Sequence, residues 1–320
     1  MYKSNIRPDI IPEFPNIVVL ALTNVCTHLC NHCQYRFYSK REDYQLKHMN
    51  EKIFQKIVDE MAYYKNAYLR LCAWGEPLLH PQIVDFVGYA SSRNVKTILL
   101  SNGYPLNSDL SYQLAEAGLT MAEISIDAAK DSTYMKVRAN DQLNTFEIVN
   151  SNVLKFKEII NKNHFFTKVV VSYVTWPNNE SEKEFVLFKN KWEPYVDNIV
   201  KRRLHSFMCA VNTDFIKLPE ERLPCYGLWA RGVVNPWGKI VICYNQWEID
   251  KWEIADLNDE GVNIHKVWVG EEYAFARMRK EQVDGIFTGP CANCKDYNPY
   301  AWEHPFEEVI QKIHTAQIIT

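Results

Sequence analysis

The chain has 320 residues, 47% hydrophobic and 23% charged, with 36 Lys and Arg set against 39 Asp and Glu. That is long enough for two domains, and a net charge of −3 gives no field to recruit nucleic acid. The one basic cluster, Lys201-Arg202-Arg203, is short and reads as a solvated face. Met1 to Pro15 carries Lys3, Arg7, Asp9 and Glu13 and has no apolar stretch of signal-peptide type, and no run approaches the roughly eighteen apolar residues of a membrane span. A cytoplasmic protein is expected, with neither nucleic acid nor membrane as partner. In a reducing compartment its nine cysteines point to metal ligation or catalysis instead of disulfides.

After an N-terminal extension over residues 1–14, the apolar run Ile17 to Leu22 reads as a short buried strand. Directly behind it comes Cys26-Thr27-His28-Leu29-Cys30-Asn31-His32-Cys33, three thiols at intervals of four and three. Spacing this tight puts three soft ligands on one loop, where they can hold three corners of a cubane iron-sulfur cluster and leave the fourth iron open. A structural site closes its coordination, whereas a catalytic one keeps a position free. The same residues also suit a zinc loop completed from elsewhere, with His28 or His32 among its ligands, or three incidental buried thiols.

The middle of the chain alternates strand and helix. Ile53, Ile57, Val58 and Met61 mark a helix face; Tyr68 to Cys72 form a strand ending at Trp74-Gly75-Glu76-Pro77; and Pro81 opens a helix with Ile83, Phe86, Val87 and Ala90 on its face. Val95 to Leu100 make a strand ending at Ser101-Asn102-Gly103, and Leu110 and Leu114 belong to a helix stopped by Gly118. Met121 to Ile126 follow as a strand closed by Asp127, then a long helix through Phe146, Val149, Val153, Phe156 and Ile160. The strand Val169 to Val174, a helix carrying Phe185, Phe188 and Trp192, and a strand near Ile199 to Leu204 complete six βα-type repeats. The fold class is α/β. Such alternation implies a parallel sheet with right-handed crossovers, and polar groups gather at strand C-terminal ends, where barrel sheets place their chemistry.

The C-x3-C-x2-C loop after a first strand resembles the signature of the radical S-adenosylmethionine (SAM) superfamily. The resemblance runs from Pro15 to about Leu204 and implies a partial (β/α)6 TIM-type barrel over 15–215. It also implies a [4Fe-4S] cluster on Cys26, Cys30 and Cys33, whose open iron chelates SAM and cleaves it reductively to a 5'-deoxyadenosyl radical. His32 stands where the family usually has an aromatic near the adenine, and a flat imidazole can still stack. Gly75-Glu76-Pro77 resembles the motif whose backbone binds the SAM amino group, with Trp74 in place of the usual first glycine. Ser101 and Asn102 match a ribose contact, Ser125 and Asp127 match ribose and methionine contacts, and Arg138 matches the basic residue that pairs with the SAM carboxylate. Taken singly, each of these residues also suits a turn, a helix cap or a surface charge.

From Pro224 a second cysteine set begins: Cys225, then Cys243 at the end of a β-hairpin from Val233 that turns at Pro236-Trp237-Gly238, then Trp268, and finally Cys291 and Cys294 as C-x2-C. Four thiolates fill a coordination sphere, and a zinc ribbon uses the same pattern. The order and spacing resemble the twitch or SPASM-type extension of radical SAM enzymes, in the short version with one auxiliary [4Fe-4S] cluster that aminocyclitol dehydrogenases of the superfamily share. This assigns 216–300 to a small cysteine-rich domain. Residues 301–320, with Phe306, Val309, Ile310 and Ile313, close the chain as an amphipathic C-terminal helix.

The expected function is abstraction of a carbon-bound hydrogen from a polar small molecule such as an aminocyclitol, sugar or nucleotide sugar, followed by oxidation or epimerisation. A ribosomal peptide is the alternative substrate; against it, the chain begins almost at its first strand, with no room for a leader-binding domain. A non-catalytic metal or redox sensor is the reading from another class. An electron donor such as flavodoxin or ferredoxin is implied as a partner. Cys209, in neither ligand set, lies near the expected barrel mouth and is a candidate hydrogen donor for an epimerase, with Cys72 as competitor and a buried small hydrophobe as the plain alternative.

Overall fold

The structure is a computed structural model and describes residues 11–138, 144–175, 179–205, 222, 224–225, 227–245 and 252–296. Cys209 and the expected C-terminal helix lie outside the described residues.

Six strands, β1 (Ile17–Leu20), β2 (Tyr68–Leu71), β3 (Lys96–Ser101), β4 (Met121–Ser125), β5 (Lys168–Thr175) and β6 (Asn198–Arg203), pair in sequence order and all in parallel. Between and around them run α1 (Tyr35–Tyr38), α2 (Glu51–Met61), α3 (Ile83–Ser92), α4 (Ser108–Glu116), α5 (Asp131–Arg138), α6 (Thr145–Asn163) and α7 (Asn179–Trp192). The α/β parallel architecture expected from the alternation is therefore present. Helix boundaries follow local capping chemistry. Asn50 accepts from the Lys52 N–H at the start of α2, which buries Ile53, Phe54, Ile57, Val58 and Met61 and stacks Phe54 on Phe86 of α3 at 4.0 Å between ring centroids. The Pro81 helix begins only at Ile83, and the turn before it is a short 3-10 segment, Pro77–Leu79, capped by the Glu76 carboxylate. The α5 helix, with Arg138 in its last turn, carries no long apolar period and does not stand out in the sequence.

Strand side chains alternate between two faces. Val18, Leu20, Leu69, Leu71, Leu99, Ala122, Ile124, Val169 and Val171 belong to the main core with the helices. Ile98, Met121, Val170 and Val200 form a separate inner cluster. Two residues beyond Met121 and Val200 on that inner face stand Glu123 and Arg202. The basic cluster is accordingly not a solvated face throughout: the Arg202 side chain, 15% exposed, turns inward and donates to both Glu123 oxygens at 2.6 Å. Its neighbour Lys201 points outward, to Glu182.

The cysteine-rich region grows out of the same sheet. Strand β7 (Arg231–Val234) lies parallel to β1 on the side away from β2, and β8 (Lys239–Val241) and β9 (Glu253–Asp256) add antiparallel beyond it. The expected hairpin is β7–β8. It turns at Gly238 with φ +86°, where an added Cβ would come within 3.1 Å of Asn258. Three helices, α8 (Gly227–Ala230), α9 (Ile264–Val269) and α10 (Ala274–Val283), cover it. Trp268 donates to the Pro12 carbonyl at 2.8 Å, and Arg279, stacked over its ring at 4.0 Å, holds the carbonyls of Leu228 and Trp268. No helix among the described residues is long and apolar enough to cross a membrane.

Candidate functional site

A cavity of about 320 Å³ opens at the C-terminal ends of the parallel strands, and Cys26, Cys30 and Cys33 all line it. Their loop is clamped from several sides. Asn24 takes the Lys47 N–H and donates to the Gln45 carbonyl, both at 2.7 Å, while Asn31 ties the loop to the end of α5, its N–H reaching the Val137 carbonyl at 2.9 Å. His28 is engaged at both ring nitrogens, by Thr27 Oγ1 at 2.9 Å and the Tyr134 hydroxyl at 3.0 Å, and burial pushes its pKa down to about 3. It serves the loop's shape. His32 lines the cavity, with Nε2 at 3.6 Å from Asp127; burial, the main cause, lowers its pKa to about 4.

Behind the loop stands the β2 turn. Gly75 is there because nothing larger fits: an added Cβ would lie 2.5 Å from the Val25 carbonyl oxygen and 2.7 Å from that of Thr23. Ala73 and Trp74 take left-handed φ values of +73° and +53°, so the backbone at Trp74 keeps a conformation that glycine adopts at less cost. The Glu76 N–H bonds the Val25 carbonyl at 2.7 Å, and its buried carboxylate accepts from the N–H groups of Leu78 at 3.1 Å and Asn102 at 2.7 Å. Burial raises the Glu76 pKa to about 7 against these hydrogen bonds. Asn102 reaches back to the thiol loop, with Nδ2 at 3.1 Å from Thr27 Oγ1 and 3.8 Å from Cys26 Sγ; Ser101 Oγ accepts from the Gly103 N–H at 2.9 Å. Gly75, Glu76, Ser101, Asn102, Ser125 and Arg138 line the cavity. Pro77 and Asp127 stand behind its wall. Asp127, with φ +61° and its side chain fully buried, takes the Val174 N–H at 2.9 Å and the Arg138 guanidinium.

The residues fit an iron-sulfur cluster and a SAM-like ligand on three grounds. Three thiols share one wall; burial pushes all of them up, Cys33 to about 12, so that they carry protons until a cation displaces them. Backbone N–H groups two residues ahead, of His28 and Tyr35, point at the sulfurs of Cys26 and Cys33, and Arg138 Nη1 reaches Cys30 Sγ at 3.7 Å. Finally, Arg138 Nε is buried without a hydrogen-bond partner among the described residues, a donor suited to a ligand carboxylate.

The second set comes together as well. Cys225, Cys243, Cys291 and Cys294 lie close enough that, after burial, their mutual charges are among the main influences raising the Cys243 thiol. Asn245 N–H meets Cys243 Sγ at 3.4 Å and Asp296 N–H meets Cys294 Sγ at 3.3 Å, while Asn245 Nδ2 donates to Asp296 Oδ2 at 3.1 Å. Gln282 takes the Cys225 N–H at 2.8 Å, and Arg222 holds the carbonyls of Cys291 and Ala292. Sequence reasoning passed over Asn245 and Asp296, although the pattern of a cysteine followed two residues later by Asn or Asp occurs at both Cys243 and Cys294. Among the described residues no three His, Cys, Asp or Glu side chains close on a single-ion position. Cys225 lines the same cavity as the first three thiols.

Between the two thiol sets the cavity wall is charged. Arg70 of β2, Arg202 of β6 and Arg231 of β7 line it, with Cys72, Tyr244, His205 and Asp296. Arg231 Nη1 donates to the Tyr244 hydroxyl at 3.3 Å, and His205 Nδ1 is 3.8 Å from Asp296.

The sequence model of the radical SAM superfamily matches residues 20–188, just over half of the chain. An AdoMet-dependent heme synthase of Methanosarcina barkeri is 28% identical over 124 residues, 39% of this chain and 34% of that protein. The chain spans about a third of the length of the curated relatives it matches. Among solved structures, Streptococcus suis SuiB bound to the precursor peptide SuiA superposes with a TM-score of 0.63 at 15% identity, covering 84% of this chain and 67% of that one. BtrN in complex with AdoMet and 2-DOIA gives 0.57 at 14% identity, covering 88% and 93%. At these identities the likeness concerns the fold.

Proposed function

The chain belongs to the radical SAM superfamily, and on that premise we propose that it uses a radical derived from SAM to abstract a C–H hydrogen from a polar small molecule and then oxidises or epimerises that carbon. Cys26, Cys30 and Cys33 would hold the cluster that, with SAM bound, would supply that radical on reduction, with flavodoxin or ferredoxin as the class of donor. The chain's own residues hold and shield. The Gly75-Glu76 turn, Asn102, Ser125 and Arg138 would position SAM, with His32 near its adenine, and the strand walls keep solvent from the reacting carbon. Residues 216–300 would form a twitch/SPASM-like domain in which Cys225, Cys243, Cys291 and Cys294 would hold a second [4Fe-4S] cluster, to accept an electron from the substrate or to act as a staple.

The observation that carries this reading is the single cavity lined both by the three thiols of the N-terminal loop and by Cys225 of the second set. A substrate between them is within reach of both. The second reading, a ribosomal peptide as substrate, is favoured by the superposition on SuiB, which binds a precursor peptide. The test is anaerobic incubation of reconstituted protein with SAM and dithionite. 5'-Deoxyadenosine is expected, and its absence from protein with full iron content would leave a metal or redox sensor as the better reading.

A further inference from the structure

A cluster on Cys26, Cys30 and Cys33 has to receive its electron from another protein, and the fold restricts the side from which a donor can approach. The cavity face of the loop is where SAM and substrate would stand, with Cys225 of the second set on the same cavity wall. On a second side Cys26 and Cys33 pack against Ile17, Val19, Ala21 and Trp74, which run into the sheet. The outer side is thin. Asn31, between Cys30 and Cys33, is exposed, and the Arg36 N–H bonds the Cys33 carbonyl at 3.3 Å, so that α1 starts directly on the loop. Because electron transfer slows steeply with distance, this outer side is the favoured entry.

Asn31 also joins two helices there: its side chain donates to the Lys136 carbonyl and its N–H to the Val137 carbonyl at 2.9 Å, at the end of α5. Each helix exposes an apolar side chain beside basic ones. Phe37 of α1 is 59% exposed and is flanked by Arg36 and Lys40, and the exposed Met135 of α5 precedes Lys136. Arg36, Lys40 and Lys136 meet no carboxylate among the described residues. The segment from Cys30 to Lys47 holds four Lys or Arg against Glu42 and Asp43, within a chain of net charge −3, and Asp43 is already held by Arg41 at 2.8 Å. Aromatic side chains, Met and Arg are the types enriched where proteins meet. A basic rim around them complements an acidic partner and speeds its encounter. Contacts between redox proteins are small, below about 1,200 Å², so a face of this extent is sufficient.

We propose that this face, α1 with its Asn31 bridge to the end of α5, is the docking surface for a small acidic electron carrier. This rests on the proposed function and names the surface its donor uses. The step is one outer-sphere transfer: the carrier is oxidised by one electron, the cluster held by Cys26, Cys30 and Cys33 is reduced by one, and no bond forms or breaks.

The test mixes flavodoxin in its hydroquinone form, without oxygen, with reconstituted protein saturated with SAM, and follows flavin oxidation by absorbance. The second-order rate constant should fall about tenfold or more between about 0.1 M and about 1 M KCl, as screening shortens from about 10 Å to about 3 Å. Lys40→Glu with Lys136→Glu should lower it about tenfold or more at the lower salt and remove most of the salt dependence. Phe37→Ser, which keeps the charges, should lower it at both. A wild-type rate constant independent of salt overturns the proposal. So does an unchanged rate constant in both variants, the result expected if electrons enter through the second thiol set. Dithionite, a small reductant that needs no docking surface, is the control, and 5'-deoxyadenosine should form with it equally in wild type and variants. Its absence from all of them, with flavin oxidation still sensitive to salt and to the substitutions, sinks only the radical reading.

Discussion

Arg138 and Asp127, eleven residues apart and both buried, are bonded to each other, and the same guanidinium reaches Cys30 Sγ at 3.7 Å. One side chain thus joins the end of β4, the end of α5 and the thiol loop. The resemblance to the superfamily assigned the two residues separate ligand contacts; in the fold Asp127 orients Arg138, and Arg138 faces the cavity. Arg138→Ala should weaken SAM binding, measured by calorimetry, while iron content stays unchanged. It should also lower stability by about 3–5 kcal/mol, because Asp127 is left buried without its counter-charge. Unaltered SAM affinity would remove Arg138 from the site.

Replacing Cys26, Cys30 and Cys33 together by Ala should reduce iron from about eight per chain to about four, the content of one cubane. Formation of 5'-deoxyadenosine from SAM and dithionite should cease. A triple variant that still cleaves SAM would show that this loop is not the cluster site.

Cys291→Ala with Cys294→Ala should remove the other four or so irons and stop net turnover, while some uncoupled SAM cleavage persists. Asn245→Leu keeps all four thiols but breaks the link to Asp296, and it should lower the iron held by this set alone. Elemental analysis reads both, and zinc in place of iron at these positions would leave only the structural role.

Glu123 is a stability prediction. Burial raises its pKa, but Arg202 and Arg70 outweigh burial and hold it below its ordinary value. A carboxylate lowered in the fold contributes stability that is complete above its unfolded value, near 4.5, and lost as pH falls through its folded value. Glu123→Gln should therefore cost about 3–5 kcal/mol in denaturant unfolding at pH 7. The gap to wild type should narrow as pH is lowered below that point. A gap independent of pH would mean that the carboxylate's charge is not what the arginines need.

Cys209 separates the two chemical outcomes. If the enzyme inverts a carbon, Cys209→Ala should still consume substrate and SAM yet form no inverted product, since the thiol would be the hydrogen donor. Full inversion by this variant, followed by chiral chromatography, would assign Cys209 to packing.

The sequence by itself determined the features that depend on short separations. Thiol spacing in Cys26–Cys33 places three ligands on one loop whatever surrounds it, and apolar periodicity located six strands and the main helices, because each signal is complete within one element. Tertiary structure decided the rest, because the partners are far apart along the chain and meet only through strand register. Arg202, read beside Lys201 and Arg203 as surface charge, turns inward because strand alternation and pairing with β5 put it on the face of Glu123, seventy-nine residues earlier. The β7 hairpin joins β1 across more than two hundred residues of chain, which brings Arg231 and Cys225 to the cavity of the N-terminal thiols. Asn245 and Asp296 are fifty-one residues apart, and neither has a visible role until the fold bonds them. Ligand type and spacing are local chemistry, whereas which charges share a cavity is set by long-range packing.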